Sequence, residues 1–199
     1  MKHHKVFLTL ALLATTFWTS AAIAQDSHAT ATRTLQLSAF GAASGDFTGL
    51  AGGKNFGITA GADLGLPPWR AVRPTIEVRG TFPTDHGLVD SQKSVLGGLR
   101  VDFLLNHRLQ PYGDFLYGRG QMDYGFGYIY NNLIYSLTTT FIDSPGGGFN
   151  YALSEHLAIK VDGQYQRWGG PAPTPSGVVW STVGSAGLVY NFTFDRRRR

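Results

Sequence analysis

The feature that most restricts this chain is a two-residue rhythm that places charges on one side of otherwise apolar segments. In Ser94–Leu105, "SVLGGLRVDFLL", Val95, Gly97, Leu99, Val101, Phe103 and Leu105 fall on one face of an extended strand. Leu96, Gly98, Arg100, Asp102 and Leu104 fall on the other. Successive side chains on a strand point to opposite sides, so the first face is apolar and the second is small or charged. Such a strand separates a greasy environment from a confined polar one.

The rhythm recurs along the chain. In "KNFGITAGADLGL", Phe56, Ile58, Ala60, Ala62, Leu64 and Leu66 oppose Gly57, Thr59, Gly61 and Asp63. In "RPTIEVRGTF", Pro74, Ile76, Val78 and Phe82 oppose Thr75, Glu77, Arg79 and Thr81. In "HLAIKVDGQYQRW", Leu157, Ile159, Val161 and Tyr165 oppose Lys160, Asp162, Gln164 and Gln166. "TLQLSAFG" opens the series, and Ala186, Leu188, Tyr190, Phe192 and Phe194 close it. "QPYGDFLYGRG" supplies another strand, with Phe115 and Tyr117 on the apolar side and Asp114 on the polar side. "TTTFIDSPGGGFNYAL" supplies the eighth; its Pro145 and three glycines predict a bend or bulge. No comparably long segment has a helical period.

Short connections ("PPWR", "NHRLQ", "SEH") alternate with longer ones ("SGDFTGLAGGK", "PTDHGLVDSQK", "QMDYGFGYIYNN", "GGPAPTPSG"). Strands running up and down then gather all long loops at one end, the asymmetry of outer-membrane barrels. The aromatic "YGFGYIYNNLIY" reads as an adhesive surface or as strands extended beyond the membrane.

The N-terminus begins "MKHHK", continues through an apolar stretch and ends in Ala22-Ile23-Ala24. This is the pattern of a secretory signal peptide over residues 1–24. A lead of residues 25–32, a barrel over 33–194 and a basic tail over 195–199 complete the expected organisation. There is no cysteine, so no disulfide framework supports the exported chain. Beyond the signal peptide there are three lysines (Lys54, Lys93, Lys160) and two glutamates (Glu77, Glu155). That is too few for an ordinary soluble exterior. The net charge of +4 is no nucleic-acid footprint. Lys2 and Lys5 leave with the signal peptide, Arg196–Arg199 form the tail, and the remaining charges stand in opposite-sign pairs.

A soluble carrier barrel would turn its apolar face inward. The polar face here combines glycine, hydroxyls and amides with paired charges: Glu77 beside Arg79, Arg100 beside Asp102, Lys160 beside Asp162. An eight-stranded barrel has an interior just wide enough for side chains, and buried charges need partners. The reading is therefore all-β: a closed antiparallel eight-stranded up-and-down transmembrane β-barrel. Its lumen holds a charge network of Asp63, Glu77, Arg79, Arg100, Asp102, Asp114, Lys160 and Asp162. Closure satisfies every backbone group in lipid. Trp69, Phe82, Tyr112, Tyr151, Trp168, Trp180 and Phe194 lie near expected strand ends and are candidates for interfacial girdles.

With "PYGDFLYGRG", "GGGFNYALSEHLAIKVDGQYQ" and "GLVYNFTF", the chain resembles the small eight-stranded outer-membrane barrels of the OmpA/OmpX type. The resemblance implies an outer-membrane location, periplasmic termini and insertion by the barrel-assembly machinery. Members often end on an aromatic residue, whereas Asp195 and four arginines follow Phe194 here. No peptidoglycan-binding domain is expected in this reading.

Some outer-membrane barrels are enzymes, which need histidine convergent with Ser, Asp or Glu. His107 and His156 fall in short turns and His28 in the lead; only His86, with Asp85 and Asp90, falls in a long loop. A hydrated turn accounts for it. No catalytic, metal or cofactor site is expected. The expected partners are outer-membrane lipid and lipopolysaccharide, with no nucleic acid and a monomeric state. The functional reading is a plugged barrel with a structural or surface-interaction role. The alternatives are a lipid-modifying barrel enzyme and a soluble periplasmic ligand-binding barrel.

Overall fold

In the computed structural model, residues 35–48, 54–84, 91–105, 108–170 and 174–192 are described. The strands are β1 (Gln36–Phe47), β2 (Lys54–Gly65), β3 (Val72–Pro83), β4 (Ser91–Phe103), β5 (Leu109–Tyr130), β6 (Leu133–Ala152), β7 (Leu157–Trp168) and β8 (Val179–Phe192). Each pairs antiparallel with its sequence neighbours, and β8 closes on β1 from Leu37↔Phe192 to Phe47↔Thr182. The result is a closed eight-stranded up-and-down barrel. Closure leaves no sheet edge, so the backbone of the wall is satisfied within the wall.

The alternation read from the sequence sets the faces. Along β4, Val95, Leu99, Val101 and Phe103 are exposed on the outside, while Leu96, Arg100 and Asp102 are buried in the lumen. On β7 every second residue from Ala158 to Trp168 is buried. The exterior is a belt of large apolar side chains, including Phe56, Ile58, Leu99 and Leu188. That is an inverted exterior for a water-soluble protein and an ordinary one for lipid.

Glycine lets the narrow lumen accommodate large groups. Phe40 lies opposite Gly61, Leu96 opposite Gly118, Leu116 opposite Gly98, and Tyr112 opposite Gly148. A Cβ on Gly118 would run into the Val95 carbonyl, and one on Gly98 into the Phe115 carbonyl. At these positions the wall leaves no room for a side chain opposite the large one.

Three expectations need correction. First, β6 runs unbroken through Pro145 and keeps register with β5 at Phe115↔Pro145. Pairing with β7 skips Ser144 and Pro145 without changing register. Proline removes a ladder donor but does not itself add a residue. Second, the irregularity lies in β5, where the register shifts between Asp123 and Tyr128. Gly125 (φ 59°) and Gly127 (φ 95°) adopt backbone that L side chains avoid, and Asp123 Oδ1 accepts from the Gly125 N–H at 3.0 Å. Third, "QMDYGFGYIYNN" is strand rather than a long loop. β5 and β6 meet in a two-residue turn, Asn131-Asn132, with φ of 49° and 62°. Two positive φ values in a row match the right-handed twist of a hairpin, and asparagine tolerates them.

The other three long connections leave the barrel at the same end as this hairpin. The turns 66–71 and 153–156, and the ends of β4 and β5 at Phe103 and Leu109, lie at the opposite end. In the turn 153–156, Ser154 Oγ accepts from the Leu157 N–H at 3.1 Å.

Candidate functional site

The lumen is where chemistry-bearing side chains converge. The eight charged residues come from β2, β3, β4, β5 and β7, all on inward positions. Arg79 pairs with Glu77 on its own strand and reaches across to Asp162, with Nη1 2.6 Å from Oδ1. It also lies 3.5 Å from Asp114. Arg100 pairs with Asp63 and Glu77 at 2.8 Å each and with Asp102 at 2.9 Å. Lys160 Nζ lies 3.2 Å from Glu77 Oε2. All eight thus belong to one connected set.

Two of the three local pairs read from sequence are formed, Glu77–Arg79 and Arg100–Asp102. Lys160 instead pairs with Glu77, and Asp162 with Arg79. Long side chains from opposite walls meet in so narrow a lumen, so cross-lumen partners compete with neighbours two residues away. Five carboxylates face three cations in this set, so neutral donors take up the difference. Thr75 Oγ1 donates to Asp102 at 2.5 Å, Tyr112 Oη to Asp162 at 2.9 Å, and Gln164 Nε2 to Asp114 at 2.9 Å. Ser144 Oγ in turn donates to Gln164 Oε1 at 2.8 Å. A buried charge is tolerated only with this density of partners.

Two aromatic rings complete the network. Lys160 Nζ sits 3.7 Å from the Phe40 ring centre and 5.2 Å from that of Tyr112. Arg100 lies over Tyr112 at 4.8 Å. These are cation–π distances. Phe40 was not singled out in the sequence, although its even position alongside Ser38 marks it as inward. Tyr112 is not the girdle residue that its place near a strand end predicts. Its parity with Asp114 and Leu116 places it in the lumen.

Trp168 is the second correction to the girdle. It is 1% exposed and belongs to an apolar layer with Leu96, Leu116, Met122, Tyr124, Ile142 and Val179. Its indole Nε1 donates to Gln166 Oε1 at 3.1 Å. The layer lies in the lumen, on the long-loop side of the ion network. Trp69, Phe82, Tyr151 and Trp180 do face outward, and Trp180 stacks on Tyr165 at 4.9 Å. At the short-turn end, a polar cavity of about 200 Å³ is lined by Asp63, Arg73, Arg100, Asp102, Gln110 and Glu155, among others.

His28, His86 with Asp85 and Asp90, His107, Phe194 and Arg196–Arg199 lie outside the described residues, as does the expected signal peptide. Among the described residues, no group of three or more His, Asp or Glu side chains is placed to hold a metal ion.

Residues 9–192 match the outer membrane protein beta-barrel domain family. The chain belongs to that family. The family and the apolar exterior together place the protein in the bacterial outer membrane. Neisserial surface protein A has a similar structure: TM-score 0.51, 17% identity, 79% of this chain and 97% of that one. Ail, the attachment invasion locus protein of Yersinia pestis, aligns with TM-score 0.46 and 11% identity over 79% of this chain and 97% of its own. The outer membrane enzyme PagL aligns with TM-score 0.42 and 16% identity over 78% and 99%. At these identities the likeness is one of fold. No curated protein sequence matches the chain.

Proposed function

We propose that this protein is a non-enzymatic structural or surface-interaction barrel of the outer membrane rather than a diffusion pore. The supporting observation is that the lumen is obstructed twice along its length. Eight charged side chains link wall to wall, and an apolar layer centred on Trp168 lies beyond them. Ions crossing would have to break buried pairs and then pass an apolar constriction. A barrel of this strand number has little width to spare. The long β5–β6 hairpin, with Ile129, Leu133 and Ile134 exposed near its tip, gives the long-loop end a surface for contact. That end faces the cell exterior in this reading. Outer-membrane lipid surrounds the belt, the barrel-assembly machinery inserts the chain, and the protein acts as a monomer.

The test is conductance. Purified barrel in a planar bilayer should give no large, steady channel. Persistent porin-like current would replace this reading with passive diffusion. The fold itself admits enzymes as well as non-enzymes. His86→Ala should therefore leave the acyl pattern of lipid A unchanged; loss of an acyl modification in that variant would show a lipid-modifying enzyme instead.

A further inference from the structure

The outward face carries an uneven charge pattern. Lys54, Lys93, Arg119 and Arg167 are all exposed on the outside of the wall. Each lies ten or eleven residues along its strand from the short-turn end: Gly65 to Lys54, Phe103 to Lys93, Leu109 to Arg119 and Leu157 to Arg167. At about 3.3 Å per residue and a tilt of roughly 35–45°, that is a height of roughly 23–30 Å. The apolar band of an outer-membrane barrel is about 25 Å tall. These four cations thus stand where the hydrocarbon ends and headgroups begin. Among the described residues, no charged side chain lies on the outward wall of the strands between them and the short-turn end.

The level is basic rather than merely polar. Among the described residues its one carboxylate is Asp143, 3.1 Å from Arg167 on the neighbouring strand. Asp123 stands further out, on the extended part of β5. Aromatic rings lie beside the two arginines. Arg119 lies 4.8 Å over the Phe141 ring, which stacks on Tyr117 at 5.7 Å. Arg167 pairs in register with Trp180, which stacks on Tyr165. The Phe141 ring holds the Arg119 guanidinium against the wall, and Asp143 does the same for Arg167. Arginine and lysine at such a level are suited to phosphate, the arginines by paired N–H donors.

We propose that Lys93, Arg119 and Arg167, with Lys54, form a belt that binds the phosphate groups of the phosphorylated glycolipid of the outer leaflet. This rests on the reading that the long-loop end faces the exterior. The occupant follows from charge and height. A multiply charged phosphate headgroup gains from several cations at one depth, whereas a zwitterionic headgroup brings its own ammonium group and gains little. The apolar rows below the belt receive the acyl chains of the same molecule.

The experiment is native mass spectrometry of the mature barrel in non-ionic detergent. Bisphosphorylated lipid A, lipid A without phosphate, and phosphatidylethanolamine are added separately. The wild type should retain the bisphosphorylated lipid at least tenfold better than the other two. The combined variant Lys93→Gln, Arg119→Gln, Arg167→Gln should lose that preference, while Arg70→Gln, in a turn at the opposite end, should keep it. Heat-modifiable migration selects folded protein; if the combined variant does not fold, Lys93→Gln and Arg119→Gln singly should each weaken the preference severalfold. No preference in the wild type, or full preference in the folded variants, overturns the belt. Loss of preference in Arg70→Gln but not in the belt variants would overturn it by reversing the orientation. A conducting barrel with intact lipid preference would strike only the closed-lumen reading.

Discussion

Lys160 and Glu77 meet across the barrel: they stand on β7 and β3, on opposite walls, with Nζ 3.2 Å from Oε2. Glu77 also takes Arg79 and Arg100, so one carboxylate at 0% exposure gathers three cations. Glu77→Ala should cost about 3–5 kcal/mol, because it strands buried positive charge. Adding Lys160→Met removes one of the stranded cations, so the double variant should be less unstable than the sum of the singles. Urea unfolding in micelles, followed by tryptophan fluorescence, measures both. Strictly additive losses would show that the two residues do not act as a pair.

Arg100 and Arg167 allow a comparison between settings. Arg100 is 4% exposed and touches three carboxylates. Arg167 pairs with Asp143 on the outer surface, with side chains 48% and 38% exposed. Arg100→Ala should lose about 3–5 kcal/mol, and Arg167→Ala about 0–1 kcal/mol. Equal losses would mean that lumen water screens Arg100 as fully as solvent screens Arg167.

Strand number, closure and face were legible in the sequence because period two leaves only two choices for each side chain, and Arg100, Asp102, Lys160 and Asp162 mark one of them as polar. Tyr112 and Trp168 lie inward, not in the girdle, for a specific reason. Both stand near strand ends, but their even numbers share the parity of Asp114 and Gln166, which turns them inward. Period outweighs side-chain type at both positions. The Asn131-Asn132 turn carried a hairpin signal that the surrounding aromatics obscured. What no local pattern could supply is which charges meet. Lys160 and Asp162 are two residues apart, yet their ion-pair partners lie on β3, and that pairing depends on the curvature of the closed wall.

Gly120 and Gly113 occupy opposite faces of β5. A Cβ at Gly120 would press on Ile142 and the Trp168 ring inside the apolar layer. At Gly113 the nearest atom is the Gly146 carbonyl oxygen, 4.0 Å away, on the lipid side. Gly120→Ala should destabilise by about 1–3 kcal/mol through overpacking. Gly113→Ala should be neutral or stabilising by up to about 1 kcal/mol, since it restricts the unfolded chain. The same urea titration orders the two, and a neutral Gly120→Ala would show that the layer has slack.

Adjacent residues on β4 test the faces directly. Cysteine at Val101 or Phe103 should react with a lipid-phase maleimide in vesicles, and cysteine at Arg100 or Asp102 should not. The chain has no cysteine of its own to interfere. The opposite labelling pattern would require the apolar face to line the interior.

Trp168 and Arg100 belong to two separate obstructions in one lumen, and barriers in series need only one intact member to stop current. Trp168→Ala should therefore do two different things. It should lower stability by about 3–5 kcal/mol, because it empties the centre of a packed layer that includes Leu96, Leu116 and Ile142. It should also leave the bilayer silent, because the ion pairs of Arg79, Arg100 and Lys160 still cross the lumen on the short-turn side. Planar-bilayer recording on the folded variant separates the two effects. Steady current through Trp168→Ala would mean that the charged network is permeable and that the apolar layer alone closes the barrel.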